Sequence, residues 1–262
     1  MILNIKAKNI DMDYFKFGNG KKNMIILPGV SIKSVMESEK LVIEAYKIFS
    51  NDFTVYVFDR INNMKKSYSI DDMANDAITA IEALNLKDIY LFGASQGGMM
   101  ASLIAIKRPD LIKKLNINSI SSNVTNSKYN LFDKLINLTK ENKLDEMVDL
   151  FCKKAYTKEL YDSVKDSLDP FVKSINELDK ERFIIESKAL KDFNITDELK
   201  NINCATLIVA GKLDQIFDYT DSIIINKKIK NSKIYLYDDY GHDLYDEAKD
   251  FKKIVYDFFI GE

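Results

Sequence analysis

The residue pair with the most chemistry in this sequence is a serine inside Gly93-Ala94-Ser95-Gln96-Gly97 and the chain's single histidine, in Tyr240-Gly241-His242-Asp243-Leu244. A serine hydroxyl is a poor nucleophile at neutral pH and needs a base to take its proton as it attacks. If Ser95 is such a nucleophile, the choice of imidazole is forced, because His242 is the only one. Asp214, in Val209-Ala210-Gly211-Lys212-Leu213-Asp214, offers a carboxylate to orient that ring and stabilise its protonated form, with Asp218 as the nearest rival. Leu27-Pro28-Gly29-Val30 offers a turn whose Val30 N–H, together with that of Gln96, can hold a developing oxyanion. Each piece also has a plain structural reading: a serine that caps a helix, a Pro-Gly turn, a histidine in a surface loop. What separates the readings is where the elements place these residues.

Short apolar runs alternate with helical patterns over the first part of the chain. Met24-Ile25-Ile26-Leu27 reads as a buried strand ending at Pro28-Gly29, and Phe53-Thr54-Val55-Tyr56-Val57-Phe58 as a second ending at Asp59, with a helical pattern over 37–49 between them. Strand, helix, strand is the crossover unit of a parallel sheet. The unit repeats with a helix over 70–84, a strand over 88–92, a helix over 96–107 stopped before Arg108-Pro109, and a strand over 111–117. Ser95 therefore sits at a strand-to-helix turn, where small flanking residues allow the backbone to turn sharply and lift the side chain above the sheet.

From about Ser121 to Ile195 the rhythm breaks into helical patterns only, over 131–138, 144–155 and 182–190, with Asp169-Pro170 as the clearest breaker. It resumes with a strand over 204–210, a helix over 219–229, a strand over 233–237 and a final amphipathic helix over 244–259. The expected architecture is a doubly wound, mostly parallel α/β sheet, built from 1–120 and 196–262, with a helical cap inserted over 121–195. Ser95, Asp214 and His242 then follow three strand ends in that order.

Composition narrows the chemistry. The chain has 262 residues and a formal net charge of -2, and it carries no basic block interleaved with aromatics, which argues against nucleic acid as a partner. No apolar run is long enough to span a bilayer, and lysines interrupt the apolar residues at the N-terminus, so a cytoplasmic protein is expected. Cys152 and Cys204 form no paired motif, and with one histidine a zinc site would have to be built largely from carboxylates. Neither a metal nor an organic cofactor is expected.

On these residues the chain resembles the α/β-hydrolase superfamily, in its cap-bearing serine members of esterase, thioesterase and peptidase type. Beyond the Gly93–Gly97 elbow, Asp59-Arg60, Ser67 and the run from Tyr68-Ser69-Ile70-Asp71-Asp72 to Asp76 look like the family's segment after its fourth strand. Two features depart from the family pattern. Pro28 stands where a histidine commonly precedes the glycine, and Ile61-Asn62-Asn63-Met64 lacks the usual glycines. The resemblance implies Ser95 as nucleophile, Asp214 as acid, His242 as base, and the backbone N–H groups of Val30 and Gln96 as oxyanion donors. Serine at position 95 argues against the haloalkane dehalogenase branch, whose nucleophile is an aspartate.

The expected activity is hydrolysis of a small ester, thioester or amide with an apolar acyl group, through an acyl-serine intermediate. Phe132, Phe151, Tyr156, Tyr161 and Phe171 in the insertion are candidates to line the acyl pocket. Two other classes fit the same residues: a carbon–carbon bond hydrolase using the same triad, and a ligand-binding or signalling protein on the same scaffold.

Overall fold

The computed structural model describes residues 1–261. In chain order its elements are β1 (Ile2–Ala7), β2 (Ile10–Phe17), β3 (Lys22–Leu27), α1 (Glu39–Ala45), β4 (Phe53–Ile61), α2 (Ile70–Ala83), β5 (Ile89–Ala94), α3 (Gln96–Lys107) and β6 (Ile112–Asn118). Five helices follow without a strand: α4 (Asn126–Lys140), α5 (Leu144–Ala155), α6 (Lys158–Val164), α7 (Asp169–Ser174) and α8 (Glu177–Ala189). The chain then returns through β7 (Ala205–Gly211), α9 (Tyr219–Lys228), β8 (Ser232–Tyr237), α10 (Leu244–Glu247) and α11 (Phe251–Ile260). The eight strands form one sheet in the order β1-β2-β4-β3-β5-β6-β7-β8. Only the β1–β2 and β2–β4 pairings are antiparallel.

Side-chain alternation along the central strands builds a core on each face. Ile25, Leu27 and Leu91 point to the face covered by α2 and α3, where they meet Met73, Ala77, Met99 and Ile104. Their neighbours Met24, Ile26, Tyr90 and Phe92 point the other way, onto Phe49 and the Phe251, Val255 and Phe259 stripe of α11. Strands buried on both faces read as continuous apolar runs, which is why β3, β4 and β5 stood out in the sequence. The ends of the segment between β6 and β7 are held together at its base, where Val124 N–H donates to Phe193 C=O at 2.8 Å and Ile195 N–H to Ser122 C=O at 2.9 Å.

Three expectations need correction, and the N-terminal strands carried none. The N-terminal β1–β2 hairpin was not read from the sequence at all, although Met12, Tyr14 and Phe15 of β2 are buried. Over 37–49 the α-helix is confined to Glu39–Ala45 and has no buried residue; 3₁₀ turns on either side bring Met36 and Phe49 inward, while Leu41 is 75% exposed. The apolar spacing there reflects anchoring at both ends rather than one amphipathic helix. Asp169-Pro170 opens α7 instead of only breaking a helix, because proline is tolerated in a helix's first turn, where its missing N–H has no partner to lose. The C-terminal helix is split: Ala248 turns extended between α10 and α11, and Asp250 accepts a 2.8 Å hydrogen bond from the Tyr237 hydroxyl. Among the described residues no helix is long and apolar enough to cross a membrane.

Candidate active site

Ser95 lies between β5 and α3 with φ 51° and ψ -123°, a backbone conformation that costs a non-glycine residue about 1–3 kcal/mol. The surroundings impose it. Ser95 N–H donates to Asn118 C=O of β6 at 2.9 Å, and the Ser95 carbonyl accepts from Gly98 N–H at 2.9 Å as α3 begins. The turn is possible only because Gly97 has no side chain: a Cβ there would lie 2.0 Å from the carbonyl oxygen of Leu27, at the end of β3. The same tight approach brings the β3 end over the serine, since a Cβ on Gly29 would meet Ser95 Cβ at 3.0 Å.

Two further strand ends deliver the other groups. After β7, the Asp214 Oδ1 accepts from the Ile216 and Phe217 N–H groups at 2.8 and 2.9 Å, which leaves Oδ2 for the 2.8 Å bond with His242 Nδ1. After β8, His242 is held by its own carbonyl, which accepts from the Ser119 hydroxyl at 2.6 Å, and by edge-on packing against Phe217 with ring centroids 5.6 Å apart. Its Nε2 lies 2.9 Å from Ser95 Oγ. Asp218 is elsewhere employed: it caps α9, accepting from Thr220 N–H at 2.8 Å.

Burial works against a charged imidazole, but the adjacent Asp214 carboxylate outweighs it and holds the His242 pKa above the ordinary histidine value. The sign of the linkage follows. The Asp214–His242 ion pair contributes stability that is fully present below the unfolded-state pKa and is lost as pH rises through the raised folded value. The neutral ring, which is the form able to act as a base, is gained over that same rise.

Ser95 and His242 border one cavity of about 1400 Å³ that also reaches Gly29, Val30 and several residues of α4–α7, while Asp214 stays buried behind the ring. Gln96 is the first residue of α3, so its N–H has no carbonyl one turn back within the helix. Of the five aromatics expected in the pocket, Phe132, Phe151, Tyr156 and Phe171 border the cavity. Tyr161 does not. Its hydroxyl donates to Asp149 and its ring lies under Lys153 and Lys165, so it braces α6 against α5 on the outside.

The model of the alpha/beta hydrolase fold matches residues 23–249. The chain belongs to this family. Among curated relatives, mouse "Serine hydrolase BPHL" is 23% identical over 97% of this chain and 84% of its own length. "Putative carbamate hydrolase RutD" of Agrobacterium fabrum is 27% identical over 66% of this chain and 67% of its own length. Among solved structures, an alpha/beta hydrolase enzyme from a Medee basin deep-sea metagenome library has a TM-score of 0.88 at 18% identity, covering 98% of this chain and 97% of that one. The enol-lactonase of Burkholderia xenovorans LB400 has a TM-score of 0.83 at 14% identity, with 98% and 99% covered.

In this α/β-hydrolase chain, sequence reasoning missed several residues that hold the site. Ser119 and Phe217 had no local signal, because each acts on His242 only through tertiary packing. Gln96 was singled out for its N–H alone, yet its buried side chain donates to the Glu186 carbonyl at 2.7 Å and accepts from Arg60 at 3.0 Å. Arg60 was noticed as part of a family-like segment without a role. Glu186 was not noticed.

Proposed function

We propose that the protein is a serine hydrolase that cleaves a small ester, thioester or amide through an acyl-serine intermediate. The observation that supports this reading is the continuous hydrogen-bonded line from Asp214 through His242 to Ser95, with distances of 2.8 and 2.9 Å, opening onto a cavity. Ser95 Oγ attacks the substrate carbonyl carbon while His242 Nε2 takes its proton. The carbonyl oxygen becomes an oxyanion, held by the Val30 and Gln96 N–H groups. His242 then returns the proton to the leaving group, and water activated by the same ring releases the acid. Asp214 keeps the Nδ1–H tautomer and stabilises the imidazolium without taking the proton itself.

In this proposal α4–α8 form a cap, and the substrate's apolar acyl group occupies the part of the cavity bordered by Phe132, Val148, Phe151 and Leu168. The bounded volume favours short to medium acyl chains over long-chain triglycerides. Each methylene that fits adds about 0.8 kcal/mol, or roughly fourfold in kcat/KM, until the pocket is full. The test is a p-nitrophenyl ester series of graded chain length on the wild type and Phe151→Ala. Phe151 is the better residue to trim, because Phe132 stacks on Phe217, which in turn packs on His242. The optimum should move toward longer chains in Phe151→Ala; a flat profile in both proteins would remove the acyl pocket from this position.

A further inference from the structure

Behind the candidate oxyanion hole lies a buried cluster of charges that the mechanism does not use. Arg60 at the end of β4 and Glu186 on α8 are 1% and 0% exposed. The Arg60 Nη2 donates to the Pro28 carbonyl at 2.9 Å, to that of Gly29 at 3.4 Å, and to Gln96 Oε1 at 3.0 Å. Glu186 Oε2 accepts from the Ser31 N–H at 3.3 Å, and its Oε1 faces Arg182 Nε at 2.9 Å. Arg182 also pairs with Asp59, and Glu186's own carbonyl holds the Gln96 side chain at 2.7 Å. The cluster thus touches both sides of the hole, through 28–31 on one and Gln96 on the other.

The peptide geometry gives these contacts a direction. Gly29 C=O and Val30 N–H belong to one planar trans unit and point opposite ways, so a guanidinium that draws the Gly29 oxygen to its own side turns the Val30 N–H away from itself. The next unit is pinned in the same manner: with the Ser31 N–H bound to Glu186, the Val30 carbonyl is directed away from that carboxylate. Gly29 lies against Ser95, so the orientation of the Gly29–Val30 unit decides whether a donor or an acceptor faces the reacting carbonyl. Arg60 Nε and Nη1 have no hydrogen-bond partner among the described residues; burial pushes the Glu186 carboxyl up, and the neighbouring Arg60 and Arg182 guanidiniums oppose that shift.

We propose that Arg60 and Glu186 are positioning residues that hold the Gly29–Val30 peptide with its N–H toward the Ser95 oxyanion, and that Glu186 ties this orientation to the seating of α8. This rests on the serine hydrolase reading given above. It requires that loss of either residue weaken stabilisation of the oxyanion while leaving binding of the uncharged substrate in place.

The test compares the wild type with Arg60→Lys and Glu186→Gln on a p-nitrophenyl ester, together with two inhibitors of the same chain length. A trifluoromethyl ketone adds Ser95 Oγ to its carbonyl carbon, the π electrons move to oxygen, and the serine proton passes to His242. The matching methyl ketone binds without adduct formation. Both variants should lose about 10- to 100-fold in kcat with little change in KM, and lose trifluoromethyl ketone affinity by a similar factor while methyl ketone affinity holds. Lys128→Gln, which breaks the 2.7 Å tie between α4 and Asp221 away from the oxyanion loop, should leave the ratio of the two affinities unchanged. If Glu186→Gln does not fold, the paired variant Arg182→Met with Glu186→Leu removes one cation and one anion of the cluster together, leaves Arg60 and Asp59 in place, and should show the same loss. Folded variants with wild-type kcat and an unchanged affinity ratio, or with a raised KM alone, would refute the positioning role. A wild type that forms no adduct, or a Ser95→Ala protein with full turnover, would instead refute the hydrolase reading beneath it.

Discussion

Replacing His242 with alanine is expected to lower kcat on an activated ester by roughly 10⁵- to 10⁶-fold, close to the loss in Ser95→Ala. The two residues are expected to act as a unit, since a serine without its base stays protonated and a base without its nucleophile has nothing to deprotonate. The chain offers no substitute, because His242 is its only histidine. Combining the two substitutions should cost little more than either alone, because each already disables the same step. Steady-state rates on the two single variants and the double variant, with circular dichroism to confirm folding, make the comparison. Strictly multiplicative losses would mean that Ser95 and His242 act independently, despite standing 2.9 Å apart.

Asp214→Asn should lower kcat by roughly 10⁴-fold, whereas Asp218→Asn should leave it nearly unchanged. An asparagine at 214 can still accept from the Ile216 and Phe217 N–H groups, so the loop survives, but its amide can present a donor to Nδ1 and favour the wrong tautomer of His242. The same substitution removes the carboxylate that raises the His242 pKa, so the acidic limb of kcat/KM should move to lower pH. Asp243, next in the chain, has its carboxyl pushed up to about 7 by burial and by the neighbouring Asp246. The diagnostic quantity is therefore the difference between the two profiles, which carries the loss of Asp214's field at His242. If Asp218→Asn proves the more damaging variant, the acid has been misassigned.

The parts of this molecule that could be read in advance are those in which function and local backbone coincide. The turn at Ser95 needs glycine at position 97 because the Leu27 carbonyl passes where a Cβ would stand, and that requirement is written as a short pattern. Strands buried on both faces announce themselves as apolar runs, and the five helices between β6 and β7 as their interruption. The β1–β2 hairpin was hidden because its apolar residues are interleaved with aspartates and lysines at the sheet edge. Tyr161 looked like its aromatic neighbours, but whether a helix turns such a ring toward a cavity or toward Asp149 depends on packing that periodicity alone does not carry. Glu186 is the plainest case. One of three glutamates in a polar helix has no signature, and its contacts with Ser31 and Gln96 span 155 and 90 residues of sequence.

Covalent labelling reads out whether Ser95 is a nucleophile activated by His242. A fluorophosphonate reacts when the serine oxygen attacks phosphorus and fluoride departs, a step that requires the activated hydroxyl rather than any exposed one. Incubated with the wild-type protein at neutral pH, the reagent should add one phosphonyl group, and peptide mass spectrometry should place it on Ser95. Ser95→Ala should take up none, and His242→Ala should react far more slowly. Labelling of a different serine with Ser95 unmodified, or unchanged labelling in His242→Ala, would contradict the account.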